Sequence, residues 1–253
     1  MQLQYRIYDP TGNITALVEN EVEVEARPEV AARVMALHPE VEQVGFVRPG
    51  ELAMAGGEFC GNASMCAAVW TAEQRGLELP VTFFLSVSGT AVPVEVLVER
   101  EGDVYATSIA MPACVGIEDV ELAYGGMCGV VPVVRMEGIS HVIVDKSSPL
   151  FALLRDATAA EEAVRTWCAK LGADGLGLMF VEGTGARRIL TPLVYVPGGD
   201  TVFWEHSCAS GSSAVGMYVR GDVELCQPGG VLRVEYDGAA GGVRLHGHVR
   251  PCQ

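Results

Sequence analysis

Two cysteines occupy matching frames in this chain. Cys60 closes the run Met54-Ala55-Gly56-Gly57-Glu58-Phe59-Cys60 and is followed by Gly61-Asn62-Ala63. Cys208 closes Phe203-Trp204-Glu205-His206-Ser207-Cys208 and is followed by Ala209-Ser210-Gly211. Each follows an apolar approach, precedes small residues and opens a stretch with helical patterning, residues 63–75 in the first case. A helix start presents unpaired N–H groups and the positive end of the dipole, so it binds anions and favours a thiolate. The small residues let a ligand approach the backbone closely. Two such starts in one pocket would hold a carboxylate with a thiol on each side of its α-carbon. One thiolate would remove the α-proton and the opposite thiol would deliver a proton to the other face, inverting the centre. A reaction that must run both ways needs each sulfur in both roles. Neither a metal nor an organic cofactor is required, and no glycine-rich phosphate loop or nicotinamide fingerprint is present.

A lone free cysteine is most often a small buried hydrophobe. Two in matching frames with matching flanks are harder to explain that way. Cys66, Cys114, Cys128, Cys168, Cys226 and Cys252 lack the frame and read as core or surface residues.

Around these frames the chain alternates strands and helices. Strands are expected at 2–8, 14–18, 21–26, 41–47, 80–87, 91–99 and 104–111. Residues 28–37 and 158–171 read as amphipathic helices. Residues 112–129 read as irregular. Further strands follow at 130–136, 141–144, 178–182, 189–196 and 201–204, and a closing hairpin spans 231–236 and 242–248 over Asp237-Gly238. The order of strands, amphipathic helix, strands and cysteine-led helix occurs twice. The expectation is therefore an α+β fold of two pseudo-symmetric halves, each a curved mixed sheet wrapped around a central helix. The halves are residues 1–118 with Cys60 and 119–253 with Cys208, the last strand being a candidate to pack on the N-terminal half. An approximate two-fold axis would bring Cys60 and Cys208 to face each other across one pocket.

Composition narrows the field. The 253 residues are 49% hydrophobic and 19% charged, enough for a sizeable core. A net charge of −15 makes nucleic acid and anionic membranes poor partners. Eight cysteines without a signal peptide or a Cys-x-x-Cys pair point to reduced thiols in a cytoplasmic protein and not to disulfides or zinc. No apolar run is long enough to span a membrane.

Cys60-Gly61-Asn62-Ala63 and Cys208-Ala209-Ser210-Gly211 resemble the two catalytic motifs of diaminopimelate epimerase, a cofactor-independent amino-acid racemase. Thr11-Gly12-Asn13 resembles that family's N-terminal substrate contact, and Gly138-Ile139-Ser140-His141 its mid-chain Gly-Asn-Pro-His. The resemblance implies the diaminopimelate epimerase-like fold, Cys60 and Cys208 as acid–base pair, and carboxylate binding by Gly61, Asn62, Ala209 and Ser210 with Asn13 assisting. It also implies a homodimer. Three family polar groups are replaced here, by Ile139, Gly177 and Val196-Pro197. By resemblance they grip the far end of diaminopimelate, and each polar group left unpaired would cost roughly 1–3 kcal/mol. That argues against diaminopimelate as substrate. The forms Met-Ala-Gly-Gly-Glu-Phe-Cys-Gly-Asn and Trp-Glu-His-Ser-Cys are instead similar to histidine racemases of opine metallophore biosynthesis, with proline racemase-like enzymes a more distant match. Glu205 would then contact substrate or, with His141, orient the thiols, and Glu58 would meet the substrate amine. Asn13, His141 and Glu205 each have a plain reading too: a turn residue, a core histidine and a helix support. The rival functions are a phenazine-biosynthesis-type isomerase using a carboxylate, and a protein that sequesters a small anion without turnover.

Overall fold

In a computed structural model of the chain, residues 3–238 and 241–252 are described. The first part of the chain runs β1 (Tyr5–Pro10), β2 (Thr15–Val18), α1 (Arg27–Leu37), β3 (Gln43–Arg48), β4 (Glu51–Met54), α2 (Gly61–Arg75), β5 (Val81–Val87), β6 (Val94–Glu101) and β7 (Val104–Ala110). It continues with β8 (Gly116–Tyr124), β9 (Met127–Met136), β10 (Ile139–Asp145), α3 (Ala157–Leu171), β11 (Leu176–Glu182), β12 (Arg187–Val196) and β13 (Thr201–Trp204). It ends with α4 (Ala209–Val219), β14 (Val223–Gln227), β15 (Gly230–Asp237) and β16 (Gly242–Pro251). Two compact units result, Met1–Met111 with Arg244–Gln253, and Pro112–Val243.

In the first unit the strands pair in the order β1-β2-β3-β4-β5-β6-β7-β16, and β16 returns to β1 through Tyr8↔Pro251 and Pro10↔Val249. Among the described residues this closes a barrel with no free edge. Helix α2 packs against β1 through β7 and buries Gly61 to Ala72 without a break. It is built of small and apolar residues on every face, as a helix enclosed on all sides must be. Its last turn ends at Gly76, whose φ of 60° suits a left-handed cap. Helix α1 has proline in its first turn and lays Ala31 and Val34 beside Val44 and Phe46.

In the second unit the order is β15-β14-β12-β11-β10-β9-β8, with β13 on the side of β12. Helix α3 covers β11 and β12 and sends Trp167, Val164 and Ala160 into a core with Leu178, Phe180 and Leu193. Helix α4 packs on β9, β10, β11 and β15. The connections repeat those of the first unit. β2 and β3 run parallel across α1, as β10 and β11 do across α3. β4 and β5 run parallel across α2, as β12 and β14 do across α4.

Several expectations are corrected. From residue 116 on, the segment expected to be irregular is a hairpin: β8 pairs with β9 along its whole length, because Gly125 and Gly126 both take positive φ and make a tight turn. Residues 21–26 form no strand; only a short 3-10 turn at Val24–Ala26 is present, and none of its residues is buried. The four-residue β4 and the five-residue β14 were not expected at all. The expected first strand began at Gln2, outside the described residues, and the described β1 starts at Tyr5. No helix among the described residues is long and apolar enough to cross a membrane.

Candidate active site

Each cysteine caps the helix that follows it. Cys60 is extended at φ −132° and ψ 114°, and its Sγ accepts the Ala63 N–H at 3.4 Å. Cys208 is extended at φ −121° and ψ 109°, and its Sγ accepts the Gly211 N–H at 3.3 Å. The sulfur does what a serine or aspartate oxygen ordinarily does at this position. Behind each cysteine a serine four residues on donates to the cysteine carbonyl: Ser64 to Cys60 at 2.6 Å, Ser212 to Cys208 at 2.6 Å. The shared spacing Cys-x-x-x-Ser was legible in the sequence and would have found both serines. Helix geometry leaves the first-turn N–H groups, those of Gly61 and Asn62 and of Ala209 and Ser210, without intrahelical acceptors.

The surroundings of the two sulfurs differ. The Cys60 thiol donates to Gln43 Oε1 at 2.7 Å. Gln43 Nε2 donates to Thr15 Oγ1 at 2.9 Å and to Asn13 Oδ1, and Asn13 Nδ2 donates to Glu42 Oε2 at 2.6 Å. Asn13 thus reaches Cys60 through Gln43, a residue the sequence did not single out. Its signal lies in the sheet register, which sets Gln43 beside Thr15 across β2 and β3. Glu58 is exposed, with its carboxylate over Gly56; its carbonyl accepts the Ser88 hydroxyl at 2.8 Å. A Cβ on the neighbouring Gly89 would lie 2.1 Å from the Phe59 nitrogen, so this glycine lets the approach to Cys60 pack against the β5–β6 turn.

Cys208 is buried and half-surrounded by oxygen. The Gln227 Oε1 accepts its backbone N–H at 2.8 Å, and Gln227 Nε2 donates to Ser212 Oγ at 3.0 Å. Ser210 Oγ lies 3.6 Å from the sulfur. Burial pushes the Cys208 thiol well up, and the hydrogen-bonded Glu205 carboxylate raises it further; the Ser210 and Gly211 donors pull the other way. His141 lies in β10 of the same unit, opposite Gly177 of β11, and has no exposed surface. Neither ring nitrogen has a hydrogen-bond partner, and burial lowers its pKa to about 3, so the ring is neutral. A Cβ at Gly177 would meet its Nδ1 at 2.4 Å; the glycine makes room for the imidazole.

The structure therefore gathers Asn13, Glu58, Cys60, Gly61 and Asn62 in the first unit, and His141, Glu205, Cys208, Ala209 and Ser210 in the second. None of the eight cysteines is in a disulfide, and among the described residues no three acidic, histidine or cysteine side chains cluster to hold a metal.

Comparison with known proteins bears on what these residues do. Residues 2–250 match a family model described as the histidine racemase CntK N-terminal domain. A histidine racemase of Fusobacterium nucleatum subsp. nucleatum is 27% identical over 217 residues, 84% of this chain and 79% of that protein. A histidine racemase of Staphylococcus aureus is 27% identical over 251 residues, 92% of this chain and 88% of that protein. Among solved structures, a probable proline racemase from Agrobacterium radiobacter K84 superposes over 100% of this chain and 92% of its own, with a TM-score of 0.69 and 13% identity. That last likeness is one of fold.

Proposed function

Because the chain belongs to the histidine racemase family, we propose that this amino-acid racemase interconverts the two enantiomers of histidine, with Cys60 and Cys208 as its acid–base pair. The observation that carries this reading is the duplicated cysteine cap: extended cysteine, sulfur bonded to the N–H three residues on, carbonyl bonded to the serine four residues on. Surroundings that merely buried two small hydrophobes would have no reason to repeat three such details. The repeated order of strands and helices, with one cysteine-capped helix in each unit, supports reading the two cysteines as counterparts.

The proton bookkeeping closes with two thiols. One sulfur, as thiolate, takes the α-proton and leaves an electron pair on the α-carbon, delocalised into the carboxylate. The other gives its proton to the opposite face and becomes the thiolate. First-turn N–H groups of α2 and α4, at Gly61, Asn62, Ala209 and Ser210, stabilise the negative charge that grows on the carboxylate. Glu205 is the acceptor that steers the Cys208 proton, and Asn13 acts through Gln43. Substitution of either cysteine by serine leaves a hydroxyl far too weakly acidic to serve. Loss of one positioned proton-transfer group is expected to lower stereoinversion on the order of 10²–10⁴-fold.

The test is incubation of L- and D-histidine in heavy water with wild type, Cys60→Ser and Cys208→Ser, reading α-deuterium and optical rotation. Wild type is expected to invert and label both enantiomers, and each variant to lose inversion. Inversion that persists in both variants sinks the mechanism; a different amino acid turned over faster than histidine sinks the substrate assignment.

A further inference from the structure

The hydrogen bonds behind Cys60 have only one consistent direction. Glu42 ends the series with a carboxylate, which can only accept, and it takes a proton from Asn13 Nδ2. The Asn13 amide therefore presents Oδ1 to its other neighbour, and the Gln43 nitrogen donates to it. Thr15 fixes the same orientation independently. Its single hydroxyl proton has the Asn13 carbonyl at 3.0 Å and the Cys66 sulfur as acceptors, so toward Gln43 its oxygen accepts. With the Gln43 nitrogen committed twice, its carbonyl oxygen is what remains for the sulfur at 2.7 Å. The parallel register of β2 and β3 holds the group in place, with Thr15 fully buried and Asn13 nearly so.

We propose that Gln43 is a positioning residue that holds the Cys60 sulfur of the resting enzyme in its protonated, donating form. A carbonyl oxygen facing the sulfur welcomes S–H and repels a thiolate. Cys208 also donates, but to the Glu205 carboxylate, whose charge holds the proton on sulfur more firmly than a neutral amide does. The inference rests on the reading of Cys60 as a proton-transfer group. Ionisable groups linked to this sulfur include Glu42, through Asn13 and Gln43, and Cys66 further along α2. Cys66 is buried, kept as a thiol by that burial, and bonded to Thr15.

Because two enantiomers are equal in free energy, any Gln43 variant must lower kcat/KM equally in both directions, and a rate ratio cannot report the effect. The protonation of Cys60 in the free enzyme can. The experiment measures iodoacetamide alkylation of Cys60 against pH, by peptide mapping, in wild type, Gln43→Met and Gln43→Glu, with circular dichroism as the check on folding. Gln43→Met keeps the length and removes the acceptor, and its alkylation midpoint is expected to fall by about one pH unit; Gln43→Glu is expected to raise it by at least as much. The basic limb of the kcat/KM profile should follow the same shift. Midpoints that stay at the wild-type value in a folded Gln43→Met protein overturn the proposal, whether or not Gln43→Glu folds. The readout needs no substrate, so a protein that fails to racemise histidine yet shows the shift would refute the substrate and leave Gln43 standing.

Discussion

A sulfur at a helix N-cap answers two needs with one atom. It closes an orphan N–H of the first turn, and it is left at the positive end of the dipole, where a developing thiolate is favoured. Cys60 and Cys208 share that arrangement and differ in what receives their proton, a neutral amide against a carboxylate. His141 has a different electrostatic part. Its pKa of about 3 in the folded protein lies below the ordinary value of 6.5. Below pH 6.5 the unfolded chain takes up a proton that the folded one refuses, so stability present above that pH is lost as pH falls toward 3. The slope is about 1.4 kcal/mol per pH unit. Urea denaturation at pH 7 and pH 5 should show wild type losing roughly 2 kcal/mol more than His141→Leu over that interval. An equal loss in both proteins would mean that the ring is hydrated or paired. The same neutrality predicts that no limb of the activity profile between pH 5 and 8 belongs to His141.

At the scale of elements, α2 and the segment leading into it are held by close backbone approaches. Gly89 has φ of 73° and no room for a Cβ beside Phe59 and Glu58, whereas Gly76 has φ of 60° and open space around it. The two glycines separate backbone strain from site displacement. Gly76→Ala should cost about 1 kcal/mol of stability, from the left-handed conformation alone, and leave kcat/KM as it is. Gly89→Ala must also push the Glu58–Phe59 backbone away, adding roughly 1–3 kcal/mol, and should lower racemisation well beyond its effect on stability because Cys60 is the next residue. Equal kinetics for the two variants would show that the β5–β6 turn does not position the cysteine.

At the scale of the molecule, the chain's last strand completes the fold of its first hundred residues. β16 pairs with β7 on one side and β1 on the other. Deleting residues 244–253 would leave two edges where the barrel has none and expose the buried helix α2. The expected result is a fall in Tm of more than about 5 °C, with amide protection lost first in β1 and β7. Unchanged protection there would mean that the barrel closes without its last strand.

Much of this was legible in residues alone. The paired cysteine caps, three of the four helices to within a residue or two and the repeated order of elements all rest on local patterns, which depend only on near neighbours in the chain. β8 was read as irregular because Gly125-Gly126 suggests a loop to any local reading, while it is the pairing with β9 that makes it a tight turn. β4 and β14 were too short to show a period. Gln43 is an ordinary polar residue at a strand start until β2 and β3 align it with Thr15, 28 positions earlier in the chain, and set its amide beside the Cys60 sulfur. Hydrogen-bond direction across strands is a long-range property, and only the tertiary structure could decide it.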